Sequence, residues 1–111
     1  MTVKNVALTK KRCVPCEGGS KPLSLTDAKM YHKEVKDWKL SRKVIEREFV
    51  FKDFKKAMLF INKVAVIAEA EGHHPDIYVF YNKVKLQLST HAIGGLSLND
   101  FIVAAKVDRV F

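Results

Sequence analysis

A chain of 111 residues suggests one domain, long enough for a two-layer core without disulfide or metal staples. Hydrophobic residues make up 48% and charged residues 29%, which excludes a disordered chain, and no apolar run approaches the ~20 residues that span a bilayer. The net charge is +8, but the lysines are spread along the chain, and the tight basic cluster Lys10, Lys11 and Arg12 comes with no recognised nucleic-acid-binding motif.

The start, MTVKNVALTKKRC, lacks the apolar core of a signal peptide, so a cytoplasmic location is the expectation. Residues 1–23 read as an N-terminal arm, basic first and then rich in Gly and Pro. The arm carries Cys13 and Cys16 as a CxxC pair. One such pair is half a structural zinc site, and no second pair or HxxxH follows. Pro15 and the EGGSKP run place it in a loop, so a reduced thiol pair stands beside the metal and redox readings.

Residues 24–111 read as the domain. Ser24 with Asp27 resembles a capping box and starts a helix predicted to run to about Val35. Trp38–Leu40 and Val44–Phe51 read as strands joined by a short hairpin link. Asp53 caps a long helix to about Glu71. Its predicted inner face is Phe54, Ala57, Met58, Ile61, Val64, Ala65 and Ala68. Leu59, Phe60, Val66 and Ile67 fall outside that face, which predicts a second buried surface, most simply between subunits. Gly72 stops the helix and Pro75 prevents its continuation. Ile77–Tyr81 and Val84–Thr90 read as paired strands around an Asn82-Lys83 turn, with Val84, Leu86 and Leu88 on the buried face. Ser97 with Asp100 again resembles a capping box, opening a last helix to about Val107.

The order αββαββα with short strand links predicts an α+β fold. It is a two-layer arrangement, a four-stranded antiparallel sheet with three helices on one face.

Three of the four histidines lie in EGHHPDIYVFYNKVKLQLSTH. His73 and His74 follow a helix C-terminus, which favours cationic side chains. The hairpin should return His91 to their neighbourhood. Imidazoles so placed suit general acid/base chemistry. Adjacent histidines are an unusual zinc spacing and no HExxH accompanies them. On spacing alone an acid/base site, a metal site and plain turn residues all remain open.

EGHHPD, YNKVKLQLSTH and GLSLND together closely resemble the signature of the pterin-4a-carbinolamine dehydratases. Trp38 and the helix FKDFKKAMLFINKVAVIAEAEG are similar to that family too, so the resemblance spans about residues 24–108. It implies a hydro-lyase that eliminates water from a 4a-hydroxytetrahydropterin to give the quinonoid dihydropterin, recycling tetrahydrobiopterin, with no metal and no organic cofactor. It implies that His73 and His91 are the acid/base pair, and that His74, Glu69, Pro75 and Asp100 bind or frame the pterin. It further implies a homodimer or homotetramer and a functional link to an aromatic amino acid hydroxylase. The alternative it carries is a non-enzymatic, dimerisation-cofactor-like interaction module. Asp76 stands where many members have Glu, and Ile77 where an aromatic residue is frequent.

Overall fold

The structure, a computed structural model, describes residues 7–15 and 21–111. Helix α1 spans Leu25–His32, β1 Lys39–Leu40, β2 Ile45–Val50, α2 Phe54–Glu71, β3 Asp76–Phe80, β4 Lys83–Leu88 and α3 Leu98–Val110. Two short 3-10 turns, Leu8–Lys10 and His91–Ile93, complete the set. The sheet runs β1-β2-β4-β3 and every pairing is antiparallel. This is the expected two-layer α+β fold. Among the described residues no helix is long and apolar enough to cross a membrane.

The helix starts follow their local signals. The Ser24 hydroxyl accepts the Asp27 N–H at 3.1 Å and the Asp53 carboxylate accepts the Lys56 N–H at 2.9 Å. Each cap of this kind is worth about 1 kcal/mol. In β4, Val84, Leu86 and Leu88 are buried while Lys83, Lys85 and Gln87 alternate with them. Burying each such side chain contributes roughly 1.5–3 kcal/mol. β4 is central, so its inner face anchors the core to which α2 and α3 contribute. At one end of that core, Phe49 meets Phe60 at 4.7 Å and Phe111 at 4.8 Å between ring centroids. Trp38 is fully buried and satisfies its indole N–H on Asp108 at 2.8 Å. The same carboxylate oxygen accepts Arg47 at 2.8 Å.

Three local expectations shift. α1 ends at His32 rather than near Val35, because the chain then tightens into turns that carry Val35 and Trp38 into the core. The β3–β4 turn is Tyr81-Asn82, with Tyr81 at φ 55°. Lys83 is held in the ladder by both Phe80 and Val50, and Asn82 is tied to Phe51 through its side chain and its carbonyl. On α2 the inner face is Ala57, Phe60, Val64 and Ala68, with Ile61 and Ile67 half-buried against the core. Phe60 and Ile67 therefore face inward. Phe54, Leu59 and Val66 remain exposed.

Residues 7–15 are built onto the domain. Leu8 is fully buried, and its N–H donates to Glu34 at 3.1 Å.

Candidate active site

The chain leaves α2 through Gly72 at φ 64°, a left-handed conformation that glycine adopts without strain. The Gly72 and His73 amides both donate to the Ala68 carbonyl, closing the helix end. Pro75 then lets β3 begin at Asp76. Across the hairpin, β4 ends at Leu88. Thr90 bridges to Gly95, and His91 opens the second 3-10 turn. The two ends of the hairpin thus deliver His73, His74 and His91 to one cleft of about 380 Å³. That volume lies within the range of small-molecule sites.

The three imidazoles have different surroundings. His73 is mostly buried, its side chain 13% exposed, and its Nε2 lies 2.6 Å from Asp100 Oδ1. Because a carboxylate accepts, Nε2 carries the hydrogen and Nδ1 is the nitrogen that Asp100 does not engage. Asp100 itself is fully buried. Its Oδ2 accepts the Thr90 hydroxyl at 2.8 Å and the Ser97 N–H at 2.9 Å. The second of these is half of the capping box that starts α3. His74 is exposed and pairs through Nε2 with Glu69 at 2.5 Å, across the turn at the helix end. His91 is exposed at the cleft lining, and Pro75 is half-buried in the loop between His74 and β3.

The rest of the lining comes from Cys13–Pro15, Glu71, Gly72, Ser89, Thr90, Ala92 and Asn99. Burial, reinforced by the charge and hydrogen bonding of Glu71, pushes the Cys13 thiol up from 9.0 to about 12; Lys106 offsets this only in part. Cys13 is thus a protonated thiol near neutral pH and a poor nucleophile. Cys16, the other half of the CxxC pair, lies outside the described residues. Among the described residues no three His, Cys, Asp or Glu side chains gather as a metal site would require. A second hollow of about 490 Å³, lined by Pro22–Leu25, Ala28, Ser41–Lys43, Gly94 and Gly95, holds no histidine.

A family model described as pterin 4 alpha carbinolamine dehydratase matches residues 21–110. The chain belongs to the pterin 4 alpha carbinolamine dehydratase family.

Relatives agree along nearly the whole length. A Nitrosospira multiformis protein, provisionally named a pterin-4-alpha-carbinolamine dehydratase, is 48% identical over 104 residues, 94% of this chain and 92% of its own. One from Alkaliphilus metalliredigens with the same provisional name is 46% identical, covering 92% of this chain and 94% of its own. The crystal structure of a transcriptional coactivator/pterin dehydratase from Brucella melitensis matches with a TM-score of 0.76 at 30% identity. It covers 81% of this chain and 98% of that one.

Within this dehydratase-family fold, three of the six residues singled out from the sequence, His73, His74 and His91, line one cleft. Asp100 stands behind His73, Glu69 pairs with His74, and Pro75 follows His74 in the loop outside that lining. Ser97 is marked by its capping-box spacing to Asp100, whereas Thr90, which also bonds Asp100, and the wall formed by Cys13–Pro15 have no local sequence signal. The contacts that place that wall span 58 residues, from Cys13 to Glu71, and 85, from Val14 to Asn99.

Proposed function

We propose that the chain dehydrates a 4a-hydroxytetrahydropterin to the quinonoid dihydropterin, recycling tetrahydrobiopterin. The observation that carries this is the convergence of His73, His74 and His91 on one cleft, with carboxylates behind two of them, in a member of this family. In the reaction the C4a–O bond breaks and the hydroxyl leaves as water. A ring N–H gives up its proton and its electron pair forms the new double bond. No electrons enter or leave overall, so the stoichiometry calls for no redox cofactor. One group must give a proton and another must take one, which suits two imidazoles.

His73 and His91 are the proposed pair. Asp100 positions His73 by fixing its tautomer. His74, oriented by Glu69, binds the pterin edge, and Pro75 holds the loop. A hydroxylase acting on aromatic amino acids is the kind of enzyme that would supply the substrate. The exposed apolar residues of β3 and of the outer face of α2 support a homodimer or homotetramer.

The test is a stopped-flow assay of 4a-hydroxytetrahydropterin decay in the presence of the purified protein. His73→Ala and His91→Ala should each slow the catalysed rate by about a hundredfold or more, the usual scale for losing a positioned acid or base. A wild-type protein that does not accelerate decay would end this reading. A protein-interaction module without catalysis would then stand in its place, in line with the coactivator half of the Brucella melitensis protein's name.

A further inference from the structure

One wall of the cleft is made by residues that the proposed proton transfers do not use. Asn99 grips Val14 by both backbone groups: the Val14 N–H donates to Oδ1 at 3.1 Å and Nδ2 donates to the Val14 carbonyl at 2.6 Å. This is the double bond pattern that a neighbouring strand would offer. One residue earlier, the Cys13 N–H donates to Glu71 at 2.9 Å and its thiol points to the Asn99 carbonyl at 3.6 Å. The Glu71 side chain is only 6% exposed and takes Lys106 at 2.5 Å and Arg12 at 3.6 Å. Burial alone would raise its carboxyl. The Cys13 and Lys106 hydrogen bonds and the nearby cations outweigh that and hold it below its ordinary value.

Ordering a chain segment costs conformational entropy, and here several specific bonds are spent on four residues. The anchors take the Cys13 N–H and thiol and both backbone groups of Val14, so the side chains of Val14 and Pro15 are left over. Both line the cleft. Val14 is 65% exposed, a branched apolar side chain that the fold leaves in water. The anchors also adjoin the chemistry: Glu71 precedes Gly72 and His73, and Asn99 precedes Asp100.

We propose that residues 12–15 form a fixed strap whose Val14 and Pro15 supply an apolar contact for the planar pyrimidine half of the pterin, with Asn99 and Glu71 as the positioning residues that hold it. The inference rests on the dehydratase reading. The pyrimidine half of the pterin is planar, hydrogen-bonds at its edges and gains from apolar contact at its face, and Val14 and Pro15 are apolar lining side chains that the proton transfers leave unused. The strap acts on binding and leaves the proton transfers alone.

The test pairs turnover with equilibrium binding of 7,8-dihydrobiopterin by titration calorimetry. Val14→Ser should raise both KM and the dihydrobiopterin Kd about fivefold, the scale of a partly lost apolar contact, while kcat stays within about twofold. Val14→Ile should restore wild-type values. Val14 is exposed, so these variants leave folding alone. Asn99→Ala, checked for folding by circular dichroism, should move Kd in the same direction as Val14→Ser. If wild type binds and turns over while Val14→Ser changes neither KM nor Kd, the strap is overturned and the dehydratase reading stands. If Val14→Ser acts but folded Asn99→Ala leaves Kd unchanged, the anchoring role of Asn99 is overturned. If wild type neither binds dihydrobiopterin nor turns over, the dehydratase reading falls and takes the strap with it.

Discussion

Asp100 serves the last helix and the candidate site with one carboxylate. Its Oδ2 closes the cap of α3 on the Ser97 N–H, and its Oδ1 holds His73. A rigid helix start is thereby made to aim an imidazole, so the structural and functional roles cannot be separated by removing the group. Cys13 allows a cleaner experiment. In the folded chain its thiol keeps its proton up to about 12, against an ordinary 9.0. Between those values the native state binds a proton that the unfolded chain has lost, so stability falls as pH rises. The contribution is fully present below about pH 9 and is lost toward pH 12. Urea midpoints measured at steps from pH 8 to pH 11 should therefore decline more steeply for wild type than for Cys13→Ala. Parallel declines would mean that the thiol is not buried against Glu71.

At the scale of elements, starts and stops written in adjacent residues were legible. Ser24, Asp53 and Ser97 open their helices and Gly72 closes α2, because caps depend on groups within one turn. The end of α1 was not legible. No Gly or Pro marks it, and the chain turns there because Trp38 must reach Asp108, 70 residues away. The inward placement of Phe60 and Ile67 was also missed. A helical repeat gives the angular spacing of side chains but not which arc meets the sheet, and that depends on Phe49, Phe51 and the C-terminal Phe111. Gly72 tests the local half of this account. An added Cβ there would meet nothing within 4 Å, so the cost of Gly72→Ala is the left-handed backbone alone. The variant should lose about 1 kcal/mol in urea unfolding. A neutral result would show that the helix end is free to adopt another conformation.

At the scale of the whole molecule, the site joins segments that the sequence announces to one that it does not. Hairpin topology was enough to bring His91 back to His73 and His74. The strap at Cys13–Pro15 follows no periodicity, and its place emerges only when α2 and α3 are packed. The same distinction bears on assembly. Among the described residues β3 pairs with β4 on one side only, and all five of its residues are exposed, Val79 at 40% and Phe80 at 55%. An edge strand with that much apolar surface invites pairing with another chain. On the far side of α2, Leu59 is 48% exposed and Val66 70%. Two separate surfaces give two ways to associate, one through the sheet and one through the helix. Light scattering should therefore find wild type larger than a single chain, with an apparent Tm that rises with protein concentration. Val66→Glu should remove only the helix contact and Phe80→Lys only the edge contact, since a charge blunts either surface. If the two surfaces build successive levels of one assembly, the single variants stop at intermediate sizes and the double variant is monomeric. A wild type that is monomeric at every concentration would remove both contacts at once, and the exposed residues would then be ordinary surface.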